Sequence, residues 1–304
     1  MSDTALHTIT FQEFEILVQL INPSRYPYTI APNISKGEPA LQSLLQKKLV
    51  RQISNTFLAT PAAKSTLETY RVKRAVILAA GRGERLRPES DQIPKPMTKV
   101  HTQRFVETQL DALARVGISD ITIVRGYKGE MFDELLGEYP HLKFIDNPEW
   151  HSAGAIVSAA LAIDKLAGAY LIEGDLYMKN TSILRPFEYR SSWYSQPIPT
   201  ENDWFFSVDE TERIQALDFG TTDHHRHYKY VGIQYWAPRE AELLKADLKT
   251  VLATPSGRQA FIESVPFAPH TGTYEIYARK IGPDDATEVD TYEELLALRI
   301  RENQ

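Results

Sequence analysis

The chain of 304 residues contains no cysteine. Disulfides and thiolate metal sites are therefore excluded, so any metal ion must be bound by carboxylates or imidazoles, which favours a hard cation such as Mg²⁺. The sequence also lacks an apolar run approaching the roughly 18 residues that a membrane span needs. Its N-terminus, MSDTALHTIT, has neither the basic start nor the apolar stretch of a signal peptide. These absences predict a cytoplasmic protein without membrane contact.

A surplus of positive charge is lacking as well. The 34 lysines and arginines stand against 40 aspartates and glutamates, which gives a net charge of −6. This balance argues against a protein that coats nucleic acid or binds a membrane surface. The charge is unevenly spread, because residues 1–72 contain 7 basic and 5 acidic residues. Contact with DNA by this N-terminal part is therefore permitted but not required.

Residues 1–72 are predicted to form a small separate domain. Apolar residues at helical spacing indicate a helix near TFQEFEILVQLI and another near EPALQSLLQKKLV, with a proline-containing segment between them. Two short strands, VRQIS and TFLAT, follow, and then a helix that Thr60 caps and Pro61 begins. This order resembles a winged helix-turn-helix domain of the MarR type. Contact with DNA phosphates and a purely structural or dimerising role both remain open, and the candidate phosphate contacts are Lys36, Lys47, Lys48 and Arg51.

Residues 73–304 have the pattern of an α/β domain. The apolar run from Val76 to Ala80 is typical of a strand that is buried on both faces of a parallel sheet. Helical and strand patterns then alternate as far as AYLIEGD. Such alternation predicts right-handed crossover units that build a Rossmann-like, doubly wound sheet.

The stretch LAAGRGERLRP leads from the first strand of this domain into a loop that contains Gly81 and Gly83. Two glycines let the backbone approach a ligand closely, and their amides can bind a phosphate chain. Arg85 follows, and Lys95 lies between two prolines, which limit its backbone freedom. Fixed cations at this position would stabilise the charge of a nucleoside triphosphate.

Together, LAAGRGERLRP and the following PKP resemble the signature of the nucleotidyltransferases that include sugar-1-phosphate pyrophosphorylases and phosphocholine cytidylyltransferases. The resemblance extends from residue 73 to about residue 300. It implies a mixed sheet of the nucleotide-diphospho-sugar transferase type, a nucleoside triphosphate substrate and Mg²⁺. It also implies catalytic roles for Arg85, Lys95 and Asp175. The residues predicted to bind the nucleotide are Leu78, Ala79, Ala80, Gly81, Gly83, Glu84, Arg85, Lys95, Gly126, Tyr127, Gly154 and Ala155.

Two aspartates are the predicted metal ligands. Asp175 follows a buried strand, where open α/β sheets bind their ligands. Asp290 stands in EVDTYEEL before a helix and would by itself be read as a capping residue. The resemblance implies that it closes the metal site together with Asp175, with Glu263 as a further candidate.

The shorter phosphocholine enzymes resemble this chain in the phrases VRGYKGEMFDEL, NPEW, ENDWFF, GIQYW and EVDTYEEL. Aromatic faces that could hold a quaternary ammonium group are expected at Trp204, Tyr235 and Trp236, with Asp203 as a nearby anion; Trp193 and Tyr194 are weaker candidates. Gly154 and Ala155 stand where the cytidylyltransferases have two asparagines, which leaves the choice of base open. The run HHRH at residues 224–227 is interpreted as a turn.

The sequence therefore predicts a Mg²⁺-dependent cytidylyltransferase that joins CTP to a phosphocholine-like acceptor. Two enzymatic alternatives remain: transfer to 2-aminoethylphosphonate, and transfer from UTP, dTTP or GTP to a sugar 1-phosphate. A further alternative is a transcriptional regulator whose second domain only senses a ligand. The sequence gives no oligomeric state.

Overall fold

The computed structural model describes residues 8–21, 37–197, 203–220, 227–269 and 271–303. The chain divides into two compact units. The first contains residues 1–72 and also residues 182–189, which the sequence analysis assigned to the second domain; the other unit contains residues 73–181 and 190–304. No helix within the described ranges is long and apolar enough to cross a membrane.

The first unit has the order helix, helix, hairpin, helix. Thr60 caps the last helix with its hydroxyl and Pro61 begins that helix, as predicted. The winged-helix interpretation stays a prediction, and Lys36 and the proline-containing segment lie outside the described residues. Lys47 is already paired, because its Nζ lies 2.8 Å from the Glu13 carboxylate. The elements are α1 (Phe11–Ile21), α2 (Pro39–Gln46), β1 (Val50–Ile53), β2 (Thr56–Ala59) and α3 (Pro61–Glu68).

A buried ion pair lies in the core of the first unit. Arg185 Nη1 donates to Glu15 Oε1 at 2.8 Å, and the two side chains are 2% and 1% exposed. The guanidinium also lies 5.5 Å from the centre of the Phe14 ring. Because Arg185 belongs to residues 182–189, this core depends on a segment that is distant in sequence.

The second unit is built on a nine-stranded mixed sheet in the described part of the chain. Its larger strands are β3 (Arg74–Ala79), β6 (Asp120–Arg125), β7 (Lys143–Asp146), β8 (Ala169–Glu173), β10 (Ser192–Gln196), β11 (Asp203–Val208), β12 (Ile214–Gly220), β13 (His227–Trp236) and β14 (Tyr277–Lys280). Shorter strands outside this sheet are β4 (Lys99–Val100), β5 (Gln103–Arg104), β9 (Leu176–Met178) and β15 (Ala286–Glu288). Its α-helices are α4 (Glu89–Gln92), α5 (Phe105–Arg115), α6 (Ala155–Leu161), α7 (Pro238–Val251) and α8 (Tyr292–Arg301).

The strand order is β12-β11-β13-β8-β3-β6-β7, and β10 joins β13 to β14. The pairs β8-β3, β3-β6 and β6-β7 are parallel, whereas β13 runs antiparallel to β8. The central position of β3 explains its apolar run, because both of its faces are covered. This topology confirms the predicted Rossmann-like mixed sheet. It places the carboxyl ends of β3 and β8 side by side, so the glycine loop and the turn after Glu173 meet at one edge.

One predicted helix has a different form. The segment EMFDELLGEY has one of the helical patterns that alternate with strands in the sequence, and Gly129–Gly137 within it is a 3₁₀ helix. Buried Phe132 and Leu135, three residues apart, point to the same side. A 3₁₀ helix has three residues per turn, so this spacing suits it well. The residues His224, His225 and Arg226 lie outside the described ranges, and His227 begins β13.

Replacement of Glu15 by alanine should destabilise the first unit strongly. Removing one partner of a buried ion pair typically costs about 3–5 kcal/mol. Thermal and urea unfolding of the full-length protein, followed by hydrogen exchange of the amides of α1, would measure the loss. The double variant Glu15→Leu with Arg185→Met removes both charges and should recover most of the stability. Equal instability of the single and double variants would contradict this account.

Candidate functional site

Lys95 is the central residue of the candidate site. It lies in a 3₁₀ turn, Lys95–Met97, that follows Pro94, and only 8% of the residue is exposed. Its chain passes over Gly83, where a Cβ atom would lie 3.0 Å from Lys95 Cβ. Gly83 also has a φ of +64°, which disfavours a residue with a side chain. The second glycine of the loop is therefore needed to let Lys95 reach its position.

The Lys95 ammonium group joins two acidic residues that are distant in sequence. Its Nζ donates to Asp175 Oδ2 at 2.9 Å and to Asp290 Oδ1 at 2.8 Å. Arg85 Nη2 lies 2.9 Å from the same Asp290 oxygen, although the Arg85 side chain is 69% exposed. The structure thus brings together all four charged residues that the sequence analysis singled out.

The charges in this group stabilise one another. Burial alone would lower the pKa of Lys95, but Asp175 and Asp290 outweigh it and raise that pKa well above its ordinary value. Burial would raise the pKa of Asp290, but Lys95 and Arg85 outweigh it and lower that pKa. Lys95 therefore remains a cation, and Asp290 an anion, at neutral pH.

The carboxylates close enough to share one metal ion differ in part from the predicted pair. Oxygens of Glu173, Asp175 and Glu288 lie within 4.8 Å of one another. Asp290 is outside this group and contacts the two cations instead. Asp175 Oδ1 is buried and has no hydrogen-bond partner among the described residues. Glu173 and Glu288 were not predicted, although each stands two residues before a predicted aspartate.

Glu263, the further metal candidate, is part of a different arrangement. Tyr230 OH lies 3.0 Å from Glu173 Oε1 and 3.3 Å from Glu263 Oε1, and Gln234 Nε2 donates to Glu263 Oε1 at 2.9 Å. Burial raises the pKa of both glutamates, and for Glu173 the nearby carboxylates raise it further. Glu263 is therefore bound within a polar network next to the acidic group, and is not one of its members.

A cavity of about 120 Å³ lies beside the glycine loop. Tyr127 N donates to Ala80 O at 3.0 Å, which attaches the predicted segment at residues 126–127 to that loop. A Cβ atom on Gly154 would lie 2.8 Å from the backbone of Gln259, so an asparagine does not fit there. The lining residues are Leu78, Ala80, Gly81, Asn147, Trp150, Ala153, Gly154, Ala155 and Ser158.

Several predicted nucleotide contacts are absent from the cavity lining. Ala79 is buried in the sheet, and Glu84 is exposed and pairs with Arg82 and Arg87. By contrast, Asn147 and Ser158 line the cavity and were not predicted. Their signal is weak, because an asparagine before a proline and a serine within a small-residue helix both have ordinary structural explanations.

Two of the predicted acceptor contacts are corrected by the structure. Tyr235 and Trp236 are 5% and 0% exposed, so neither presents a face to a ligand. The indole of Trp236 donates to Gln234 Oε1 at 2.7 Å, and the Tyr235 ring packs against Tyr170. Since consecutive strand residues face opposite sides of a sheet, a covered sheet buries both. The weaker candidates Trp193 and Tyr194 are likewise fully buried.

Trp204 is the exception among these aromatic residues. It is only partly buried, and its ring makes edge contacts with Phe219 and Phe261 at centroid distances of 5.3 and 5.5 Å. Phe219 and Phe261 are 62% and 49% exposed. Asp203 begins β11, but its side chain lies outside the described part of the structure. The accessible aromatic surface in this region is therefore formed by Trp204 and two phenylalanines that were not predicted.

The chain is similar to known nucleotidyltransferases. A family model described as Nucleotidyl transferase matches residues 74–191. The chain is 31% identical over 171 residues to the choline-phosphate cytidylyltransferase of Streptococcus pneumoniae. The aligned residues cover 56% of this chain and 72% of that protein. It is 27% identical over 226 residues to the 2-aminoethylphosphonate cytidylyltransferase of Lancefieldella rimae, which covers 73% of this chain and 90% of that protein.

A solved structure gives the same fold. The CTP:phosphocholine cytidylyltransferase of Streptococcus pneumoniae superposes with a TM-score of 0.68 at 24% identity. The match covers 76% of this chain and 99% of the solved one.

Replacement of Glu263 by glutamine should reduce the loss of stability that accompanies a rise of pH above the ordinary pKa of a glutamate. The raised pKa means that folded Glu263 retains a proton that the unfolded chain releases above its ordinary pKa of 4.5, so the free energy of unfolding falls as the pH rises through that window. Glutamine does not titrate and can still accept from Gln234. Urea unfolding between pH 5 and 8 in EDTA should therefore show a smaller loss of stability in Glu263→Gln than in the wild type. An equal or steeper decline in the variant would show that Glu263 is ionised at all these pH values.

Proposed function

We propose that this chain, which belongs to the nucleotidyl transferase family, transfers CMP from CTP to a small phosphorylated amino alcohol of the phosphocholine type and releases pyrophosphate. The observation that carries the proposal is the convergence of Lys95 on Asp175 and Asp290, with Arg85 on the same aspartate. Cations and carboxylates at the carboxyl edge of a parallel sheet are the parts that a triphosphate and a divalent metal require.

The family implies Mg²⁺, and the residues present fit it. Asp175 offers a buried oxygen with no hydrogen-bond partner in the described part of the chain, and carboxylates are the ligands that Mg²⁺ prefers. Asp175 would hold the ion together with Glu173 and Glu288, or with Asp290 as predicted from the sequence. A bound Mg²⁺ neutralises phosphate charge and aligns the acceptor with the α-phosphate.

The chain itself supplies position and charge. An oxygen of the acceptor phosphate attacks the α-phosphorus; a new P–O bond forms as the bond to pyrophosphate breaks, and no covalent enzyme intermediate is needed. Lys95 and Arg85 are directed at the place where negative charge gathers on the phosphate oxygens. Because the pKa of Lys95 is raised, this residue acts as a fixed cation and does not transfer a proton.

The cavity beside the glycine loop supports CTP as the nucleotide. Asn147 and Ser158 are its polar side chains, both nearly buried, and Asn147 Nδ2 donates to Ser158 Oγ at 2.9 Å. The Ser158 hydroxyl proton is then left to donate to a ligand. At N3 cytosine accepts a hydrogen bond whereas uracil donates one, so the Ser158 hydroxyl would favour cytosine by donating to that position.

The charge around the acidic group supports an acceptor that carries a positive charge. The acidic group consists of Glu173, Asp175 and Glu288. Lys95 Nζ lies 2.9 Å from Asp175 Oδ2, and Lys229 Nζ lies 3.8 Å from Glu288 Oε2. A sugar phosphate carries no cation, whereas an ammonium group would be attracted by any of these carboxylates that is ionised and not bound to the metal ion. Aromatic faces such as that of Trp204 attract cations by about 0.5–2 kcal/mol.

The same carboxylates favour 2-aminoethylphosphonate as a second candidate acceptor. A primary ammonium group has three N–H donors, whereas a quaternary ammonium group has none. Glu173 accepts one bond from Tyr230 and is partly exposed, so it has capacity for another donor. A clear preference for the primary amine would indicate that hydrogen bonding, and not aromatic contact, selects the acceptor.

Pyrophosphate release tests the function directly. The protein is incubated with each of CTP, UTP, dTTP and GTP, with Mg²⁺ and with phosphocholine, 2-aminoethylphosphonate or glucose 1-phosphate. We expect turnover with CTP and an amine-bearing acceptor. Lys95→Met should lower kcat by a factor on the order of 10²–10³, since it removes a cation directed at the reacting phosphate. Lys249→Met, at an exposed position on α7, is the matched control and should retain full activity.

Other outcomes of this experiment would favour the alternatives. Turnover of glucose 1-phosphate with UTP, dTTP or GTP would indicate a sugar nucleotidyltransferase. The protein could instead bind a nucleotide without turning over any acceptor. If Lys95→Met bound that nucleotide with unchanged affinity, the result would favour a protein that only senses its ligand.

Ser158→Ala should raise the KM for CTP by about five- to tenfold and narrow the preference for CTP over UTP. The loss of one hydrogen bond to a base edge corresponds to about 1–1.5 kcal/mol, and kcat should change little because the base is distant from the reacting phosphate. Steady-state kinetics with both nucleotides measure this, with Ser65→Ala in the first unit as the control. If the ratio of kcat/KM for CTP to kcat/KM for UTP is the same in Ser158→Ala and in the wild type, groups other than Ser158 select the base.

A further inference from the structure

The turn that carries Asp175 is held by a buried amide from another element. Gln109 lies on α5 and is 0% exposed. Its Nε2 donates to Glu173 O at 2.9 Å and to Leu176 O at 2.8 Å. These carbonyls flank Gly174 and Asp175, so one side chain spans the whole turn.

The turn is also confined on its other sides. Gly174 N donates to Leu78 O at 2.9 Å. A Cβ atom on Gly174 would lie 2.7 Å from that oxygen and 2.8 Å from Pro96 Cγ. Val289 N donates to Asp175 O at 3.2 Å. The Asp175 carboxylate therefore projects from a short backbone segment with hydrogen bonds to three different elements.

Among these contacts, the one from Gln109 is made by a side chain and can be removed by a single substitution. An apolar residue of the same length would fill the space on α5 without burying a polar group. Burying an amide is costly unless it is hydrogen-bonded. Gln109 Nε2 has two partners, whereas the buried Oε1 has none among the described residues. The two bonds from Gln109 are thus a specific arrangement, and their acceptors are the two carbonyls that fix the orientation of the turn.

We propose that Gln109 is a positioning residue, which holds the Asp175 carboxylate in the orientation in which it binds the divalent metal ion. The inference rests on the proposed function, because it takes Asp175 as a metal ligand. Groups that orient metal ligands typically contribute about 10–100-fold to metal affinity or activity when they are mutated. Gln109 acts through the backbone of the turn and contacts neither substrate nor metal.

Binding of Mn²⁺ to the full-length protein without nucleotide, followed by electron paramagnetic resonance, tests the proposal. Gln109→Met keeps the length of the side chain and removes both donors, and we expect roughly tenfold weaker Mn²⁺ binding. In activity assays the Mg²⁺ concentration for half-maximal rate should rise by a similar factor, while kcat at saturating Mg²⁺ stays within about threefold of the wild type, since excess metal compensates for weaker binding.

Leu113→Ala is the matched control, because Leu113 is a buried residue of the same helix. It should lower thermal stability without changing Mn²⁺ affinity. Gln109→Glu is the second variant if Gln109→Met does not fold, since it keeps the shape of the side chain but places an oxygen against the two carbonyls. It should weaken Mn²⁺ binding at least as much.

Two results would overturn the proposal. One is a folded Gln109 variant that binds Mn²⁺ as tightly as the wild type, and the other is an equal loss of affinity in Leu113→Ala. Failure of the proposed function is distinguishable, because Mn²⁺ binding does not depend on CTP or on any acceptor. If the wild-type protein binds Mn²⁺ but transfers no nucleotide, the proposed function is wrong. The Mn²⁺ affinities of the Gln109 variants would still decide whether Gln109 positions Asp175.

Discussion

The ion pairs of the Lys95 ammonium group are the constraint on which the second unit depends. A cation that is 8% exposed has to be paired, and its partners come from positions 80 and 195 residues further along the chain. The glycine loop, the turn after β8 and the segment after β15 must therefore fold together before the charge is satisfied. The folding that pairs the Lys95 charge therefore also assembles the candidate site.

The four charged residues of this group differ in how firmly the surrounding structure holds them. Lys95 is fixed by prolines and by two carboxylates, and the Asp175 turn is confined by backbone hydrogen bonds. Arg85, by contrast, is mostly exposed and makes an ion pair at 2.9 Å with Asp290. Exposed pairs of this kind contribute little to stability, typically about 0–1 kcal/mol. Arg85 can therefore exchange Asp290 for a phosphate group at a small cost in free energy. Lys95 and Asp175, by contrast, form the fixed part of the site.

The sequence predicted the residues whose position follows from local chain geometry. Gly83 and Asp175 follow strands that the apolar pattern locates, and Lys95 lies in the loop that continues from Gly83, so their convergence at one sheet edge could be expected. The roles of Glu173 and Gln109 could not, because one belongs to a strand that reads as continuous core and the other to an amphipathic helix. Their partners are set by the packing of α5 against the turn, which involves residues that are more than 60 positions apart.

The errors in the predicted acceptor site have a related physical cause. The resemblance to the phosphocholine enzymes predicted Tyr235 and Trp236 as aromatic faces for a quaternary ammonium group. A strand with both faces covered, however, buries each of them, and β13 lies inside the sheet between β11 and β8. Trp204, near the start of β11, stays partly exposed, whereas Phe205 and Phe206 of the same strand are fully buried. Since an aromatic ring attracts a cation only where the cation can reach its face, the proposed amine-bearing acceptor would bind at accessible rings and not at buried ones.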